Sequence, residues 1–318
     1  MKLKILNKDA KETGAIDMPE QFTEPVRRDL IKRAVLAIQA NKRQQYGASP
    51  EAGKRYSAYV SKRRRDYKGT YGIGQSRTPR KILNRSGTRF YFVGAFAPQT
   101  VGGRRAHPPK SSKVWEQKIN ETENRKSIRS ALSSTVIRTV VLERGHKAPE
   151  LYPFVISDDL QKISKTADLK KVLMGLGFEK ELKRASVVKI RAGKGKARGR
   201  KYKNKSSILF VVSEPCELQK AAKNFPGFDI TTPEALNVEL LAPGAEPGRL
   251  TLYTESAIKK ISDLKLFTKN FKGESTKKVV SKKEKEEKTA KVVKKTVKKT
   301  VKRVTKKTTE PEDEQWAA

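Results

Sequence analysis

Lys62, Arg63, Arg64 and Arg65 stand side by side in the chain. Adjacent positive charges repel one another unless anions come between them, so such a run is suited to phosphates. For a lone run, a solvated loop face is the plainer reading. It loses weight here because Lys54 and Arg55 precede the run, and Arg77, Arg80, Lys81, Arg85, Arg89, Arg104 and Arg105 follow it. From Lys54 to Lys113 there are 16 Lys and Arg and one acid, Asp66. Arginine dominates, and its planar fork binds phosphate oxygens through paired hydrogen bonds.

Three further stretches could carry chemistry. In Gly69-Thr-Tyr-Gly-Ile-Gly-Gln-Ser-Arg77 the glycines resemble a nucleotide-binding loop. That motif needs a strand before it and a helix after it, whereas Pro79 follows here. The glycines Gly72 and Gly74 instead allow close backbone approach to RNA beside Gln75, with Tyr67 and Tyr71 able to stack on bases. A flexible tip without fixed contacts is the alternative. In Val101-Gly-Gly-Arg-Arg-Ala-His-Pro-Pro-Lys110, Gly and Pro pairs set a path from which Arg104, Arg105 and Lys110 meet phosphate. His107 has no Cys or acid close in sequence, so a hydrogen bond to RNA or backbone suits it better than a metal or catalytic role. In Arg191-Ala-Gly-Lys-Gly-Lys-Ala-Arg-Gly-Arg-Lys-Tyr202 the Gly-Lys-Gly element falls short of a P-loop, which also requires a following helix. Lys194, Lys196, Arg198, Arg200 and Lys201 read as phosphate contacts on a strand connection; a solvated basic loop is the alternative.

Signals for an enzyme are poor. No nucleophile elbow and no metalloprotease motif occurs. Asp158-Asp159 follow a strand, where acids in open α/β sheets can act, but a helix cap is the commoner role. Cys216 has no His partner nearby and reads as a small half-buried residue. Neither a cofactor nor a small-molecule substrate is expected.

Composition agrees. The 318 residues hold 72 Lys and Arg against 34 Asp and Glu, a net charge of +38. One Cys excludes an internal disulfide, and one Cys with two His excludes a zinc finger. No apolar run approaches the ~20 residues of a membrane span, and the opening Met-Lys-Leu-Lys-Ile-Leu is too short for a signal peptide. A cytoplasmic protein bound to a polyanion is expected.

The elements that must position these residues come next. Residues 3–6 predict a strand. Thr23-Glu24-Pro25 predicts a helix start, with Val26, Leu30, Ala34 and Ile38 as its apolar stripe. Between 46 and 113 the periodicity dissolves, and a long loop, without order until bound, is expected. Residues 119–143 predict one helix. Strands are expected at 154–156, 187–190, 208–212, 236–241 and 250–253, and helices at 167–176 and from 254 to 261. This alternation predicts an α/β fold with an open, mostly parallel sheet and flanking helices. The expected organisation is a globular domain over 1–270, interrupted by the 46–113 loop, and a tail over 271–318. Residues 272–309 hold 15 Lys and Arg303 against four Glu, and then the chain turns acidic. Such a segment cannot repay its ordering entropy and reads as disordered.

Several separated blocks then resemble one family. They are Thr-Glu-Pro-Val-Arg-Arg-Asp-Leu-Ile (23–31), Gln-Ala-Asn-Lys-Arg-Gln-Gln-Tyr-Gly (39–47), Gly-Gly-Arg-Arg-Ala-His-Pro-Pro-Lys (102–110), Ile-Arg-Ser-Ala-Leu (128–132), Val-Ile-Ser-Asp-Asp (155–159), Ala-Gly-Lys-Gly-Lys-Ala-Arg-Gly-Arg-Lys-Tyr (192–202), Leu-Leu-Ala-Pro-Gly (240–244) and Pro-Gly-Arg-Leu-Thr-Leu-Tyr-Thr-Glu-Ser-Ala (247–257). Their order and spacing over residues 1–267 resemble the universal large-subunit ribosomal protein L-four family, in its archaeal form. The resemblance implies a structural protein of the large ribosomal subunit, not an enzyme, with ribosomal RNA and neighbouring ribosomal proteins as partners. It implies a loop reaching the nascent-peptide exit tunnel, with its tip near residues 72–84 and Arg77, Arg80 and Lys81 foremost. Arg63–Arg65 and Phe90-Tyr91-Phe92 depart from the small residues of the family at mid-loop. The Lys-rich tail suggests a second reading, a nucleic-acid-condensing protein of chromatin type.

Overall fold

The computed structural model describes residues 2–66, 70–72, 74–87, 89–269 and 271. The segment 272–318, expected as a disordered tail, lies outside the described residues, as does Tyr67.

Residues 208–212 show how the core is divided. Successive strand residues point to opposite faces. Leu209 and Val211 enter one hydrophobic cluster, and Ile208, Phe210 and Val212 enter the other. Both faces are buried because the strand lies inside a six-stranded sheet: β2 (Glu12–Asp17), β1 (Lys2–Leu6), β5 (Val155–Ile156), β10 (Thr251–Thr254), β8 (Leu209–Val211) and β9 (Asp229–Thr231), in that order. β1 pairs antiparallel with β2, and every other pairing is parallel. The expected α/β class and mostly parallel sheet are therefore present.

On one face lie α1 (Arg28–Asn41), α2 (Glu121–Val136), α7 (Val238–Leu241) and α8 (Glu255–Asp263), which bury Ile31, Leu132, Val238 and Ile258. On the other lie α3 (Arg138–Glu143), α4 (Thr166–Gly175) and α6 (Leu218–Ala222), with Val141, Leu169, Leu173 and Leu218. α5 (Glu179–Ser186) follows Phe178 in that second cluster.

Four sequence expectations need correction. The first helix begins at Arg28, not at Thr23. Thr23 closes a 3-10 turn through its hydroxyl on the Glu20 carbonyl, while Ser130 donates to the Pro25 carbonyl and accepts the Arg27 amide. The 119–143 helix is two helices broken at Ile137, where Tyr152 donates its hydroxyl to the Thr135 carbonyl. Of 236–241, Val238–Leu241 form a helical turn, not a strand, because the Asn237 side chain accepts the Leu240 amide as an N-cap (2.9 Å). Of 187–190, only β6 (Lys189–Ile190) is a strand, and it lies outside the main sheet, paired with β7 (Tyr202–Lys203).

Candidate nucleic-acid interface

The long loop leaves α1 at Asn41 and returns at α2, and its two ends are clasped. The Asn41 side chain accepts the Gln117 amide at 2.9 Å. The Tyr46 and Trp115 rings stack with centroids 6.2 Å apart. The Arg43 guanidinium lies 3.6 Å from the Trp115 ring centre, and the Lys113 ammonium 4.3 Å from it. Contacts of this kind contribute about 0.5–2 kcal/mol each, more where water is excluded.

Above the clasp the two arms run backbone against backbone. Ala48 donates to the Pro109 carbonyl at 2.9 Å. A Cβ on Gly47 would fall 2.1 Å from the Ser111 nitrogen, and one on Gly53 would fall 2.5 Å from the Arg104 Cα. Both positions therefore require glycine.

Beyond the arms, the segment whose periodicity dissolved holds a β-hairpin, β3 (Arg80–Ser86) with β4 (Arg89–Gly94). The expectation of a loop without regular structure is corrected to that extent. Phe90 and Phe92 share the half-buried face of β4, while Arg89, Tyr91 and Val93 are exposed. A cavity of about 260 Å³ lies between the 57–60 segment and this hairpin, lined by Thr70, Arg80, Lys81 and Phe92.

The expected tip residues divide between two settings. Arg80 and Lys81 are half-buried at the hairpin's open end, opposite Gly94 and Val93. Arg80 donates to the Ser76 carbonyl (2.7 Å), and Lys81 lies 4.5 Å from the Tyr56 ring. Gly72, Gly74, Gln75 and Arg77 precede the hairpin and are exposed, both glycines with positive φ. The exposed Tyr71 ring has the guanidinium groups of Arg64 and Arg77 at 5.3 and 5.4 Å. Lys54, Arg55, Arg63, Arg65, Arg85, Arg89, Arg105, His107 and Lys110 are exposed, and Arg104 is half-buried against Gly53.

A second basic element leaves the domain between α5 and β8. β6 and β7 enclose residues 191–201, which carry Lys194, Lys196, Arg198, Arg200 and Lys201, all exposed. Arg191 donates to the Arg200 carbonyl (3.1 Å) and closes the loop on itself. Val187, Val188, Ile190 and Tyr202 flank it with exposed apolar surface.

The two basic elements differ electrostatically from the rest. Some cations of the globular domain are matched to acids, as Arg33 is to Glu123, Lys42 to Glu239, Arg129 to Glu24, Arg249 to Asp229 and Lys260 to Glu234. Among the described residues, no cation from Lys54 to Lys113 or from Arg191 to Lys201 has a salt bridge. A surface that leaves so many guanidinium groups uncompensated has the charge pattern of a phosphate-binding face.

Asp158 has a structural partner. Its Oδ1 accepts the Ser256 hydroxyl (2.6 Å) and amide (3.2 Å), and so caps α8 from the end of the neighbouring strand β5. A cap was the preferred reading of the acidic pair, but the helix capped is a distant one. Sequence reading missed the Tyr46–Trp115 clasp, although two large aromatics flanking a basic loop were a visible signal. It also missed Glu181 and His146. Glu181 is fully buried, with its carboxylate taking Arg184, His146, Ser207 and the Lys147 amide. Burial pushes its carboxyl up, but the hydrogen bonds from Arg184 and His146 prevail and hold it down at about 2. Burial lowers His146 from its ordinary value, against the opposing pull of Glu181.

Comparison with known proteins places this geometry. The profile of the ribosomal protein L4/L1 family matches residues 16–264, which spans both basic elements and the strands β5, β8, β9 and β10 of the sheet. The chain belongs to the ribosomal protein L4/L1 family. It is 48% identical over 268 residues to the large ribosomal subunit protein uL4 of Nanoarchaeum equitans, covering 84% of this chain and 100% of that protein. It is 42% identical over 264 residues to the protein of that name from Archaeoglobus fulgidus, covering 83% and 99%. The uL4 protein of Pyrobaculum aerophilum is 42% identical over 268 residues, covering 83% and 90%. The L-four resemblance in the archaeal form is thus correct. Among the described residues, no helix is long and apolar enough to cross a membrane.

Proposed function

We propose that the chain is a structural protein of the large ribosomal subunit that binds large-subunit ribosomal RNA through two separate basic elements. One is the 46–113 loop, in which Lys54, Arg55, Arg63–Arg65, Arg77, Arg80, Lys81, Arg85, Arg89, Arg104, Arg105 and Lys110 meet phosphates, with Tyr71 and His107 among them. The other is the 189–203 hairpin, with Lys194, Lys196, Arg198, Arg200 and Lys201. The globular domain over 1–270 rests on the subunit and holds these elements apart, so that they fasten distant RNA segments during assembly. The part of the loop around Gly72–Lys81 lines the nascent-peptide exit tunnel. No catalytic step belongs to this reading, and the protein works in the cytoplasm, on the ribosome, beside other large-subunit proteins.

The observation that carries the reading is the concentration of charge on both projections: 16 Lys and Arg against one acid over 54–113, and Lys194, Lys196, Arg198, Arg200 and Lys201 exposed in a segment without an acid. Counterion release then supplies much of the affinity, and the logarithm of the binding constant falls with that of salt by about 0.7–0.9 per phosphate neutralised. Replacing Lys194, Lys196, Arg198 and Arg200 by Gln is expected to lower that slope by about 3 in filter binding to large-subunit ribosomal RNA. A slope equal to the parent's would remove the hairpin from the interface. Ultraviolet cross-linking in cells is expected to attach ribosomal RNA to peptides from 54–113 and 193–203.

A further inference from the structure

The β6–β7 hairpin pairs over two positions only, Lys189 with Lys203 and Ile190 with Tyr202. A two-stranded ladder so short is marginal by itself, and it cannot fix the direction in which residues 191–201 point. Direction must come from the feet of the hairpin, and these converge on one buried carboxylate.

Glu181 sits in α5, two turns before the hairpin departs, and is 0% exposed. Its Oε1 accepts Arg184 Nη2 (2.6 Å), the Ser207 hydroxyl (2.8 Å) and His146 Nδ1 (2.9 Å). Its Oε2 accepts Arg184 Nε (2.8 Å) and the Lys147 amide (2.9 Å). Arg184 stands on the outgoing foot, and Ser206 and Ser207 stand on the returning one. The same Arg184 Nη2 donates across to the Ser206 carbonyl (2.8 Å), and Lys205 donates back to the Arg184 carbonyl (3.3 Å). Each foot thus holds the other, and both are held to the 146–147 turn.

A buried ion pair is a poor source of stability, since an apolar pair of similar volume packs as well or better. What a charged, bidentate pair supplies is one geometry. We infer that Glu181 and Arg184 are positioning residues for RNA recognition: they fix the projection angle of the basic hairpin, so that its cations meet RNA already oriented. The inference rests on the proposed RNA contact of that hairpin.

The test is a double-mutant cycle in the full-length chain, with binding to in vitro transcribed large-subunit ribosomal RNA measured across a salt series. Arg184→Met is combined with the variant in which Lys194, Lys196, Arg198 and Arg200 are Gln. Arg184→Met alone is expected to weaken binding about tenfold, within the range for directly coupled groups, and to reduce the salt slope. In the Gln background it should change neither. Partial unfolding of the domain would lower the active fraction equally in both backgrounds and leave the slope alone, and that result overturns the inference. Arg184→Lys keeps the charge and the fold but loses the fork to the Ser206 carbonyl. It should show the same dependence on background, and a loss of equal size in both backgrounds also overturns the inference. If the Gln variant weakens binding while neither Arg184 variant does, the hairpin binds RNA without this anchor. If the Gln variant binds as the parent does, the RNA contact itself is refuted, and the positioning role falls with it.

Discussion

Replacing Arg249 should loosen the sheet where three strands begin. This guanidinium is 1% exposed, and it donates to the Ser207 carbonyl (2.9 Å), the Leu240 carbonyl (2.9 Å), the Gly227 carbonyl (3.1 Å) and the Asp229 carboxylate (2.5 Å). Burial lowers its pKa, and the Asp229 charge opposes that shift. In Arg249→Met the Gly227 carbonyl keeps the Ser207 amide as a donor, but the Ser207 and Leu240 carbonyls lose theirs. Two orphaned carbonyls at about 1–3 kcal/mol each set a loss of ~2–6 kcal/mol. Relief of the guanidinium's own desolvation offsets part of it, and the Asp229 carboxylate left behind is half exposed and stays hydrated. We therefore expect ~3–4 kcal/mol. With a urea dependence of about 3 kcal/mol per M, suited to a domain of this size, the unfolding midpoint by circular dichroism should fall by roughly 1 M. Arg249→Lys should recover less than half of that, because one ammonium cannot reach acceptors on three segments. A midpoint within about 0.3 M of the parent's for Arg249→Met would refute the reasoning.

Acid should destabilise the domain through the Glu181 cluster. The Glu181 carboxyl is held at about 2 against an ordinary 4.5, so its contribution is complete above pH 4.5 and is lost as pH falls towards 2, ~3 kcal/mol in all. The depressed His146 adds to the loss as pH falls below 6.5. Urea midpoints measured against pH should decline over this window, and Glu181→Gln should flatten the acid part of the curve. Trp115→Leu removes the ring shared by Arg43, Lys113 and Tyr46, so the Ala48 amide, bonded to Pro109, should exchange with deuterium at least tenfold faster, for a local loss of about 1.4 kcal/mol or more; unchanged exchange would mean that the clasp does not close the arms. A chain ending at Phe271 should keep most of its affinity for ribosomal RNA. Loss of nearly all binding would transfer the function to the Lys-rich segment 272–318 and favour the nucleic-acid-condensing reading.

Legibility in the sequence followed burial. The strand at 208–212 and the helices over 167–176 and from 254 were readable because an apolar run or stripe of full length marks a buried element. β2 was not, because both of its faces are largely exposed and nothing selects an alternating pattern. The 236–241 segment alternated like a strand, but the hydrogen bond from the Leu240 amide to Asn237 outweighs that pattern over so short a span. The basic projections were legible as charge, since cation clusters need no fold to be seen. Their geometry was not: the β3–β4 hairpin draws its half-buried face from Phe90 and Phe92, a signal of two residues. The Glu181 anchor was invisible, since a Glu and an Arg three apart on a helix ordinarily form a surface pair.

The register of the two loop arms carries a consequence for how such a loop changes by descent. Residue 48 faces 109, and residue 53 faces 104, so the two contacts are equally spaced along both arms. Deleting one residue between 48 and 53 would slip the register and move Gly53 away from the Arg104 backbone, so that a side chain met it instead. A matching deletion between 104 and 109 would restore it. Length variation among relatives should therefore be paired between the arms or confined beyond them, and a length change in one arm alone should be rare.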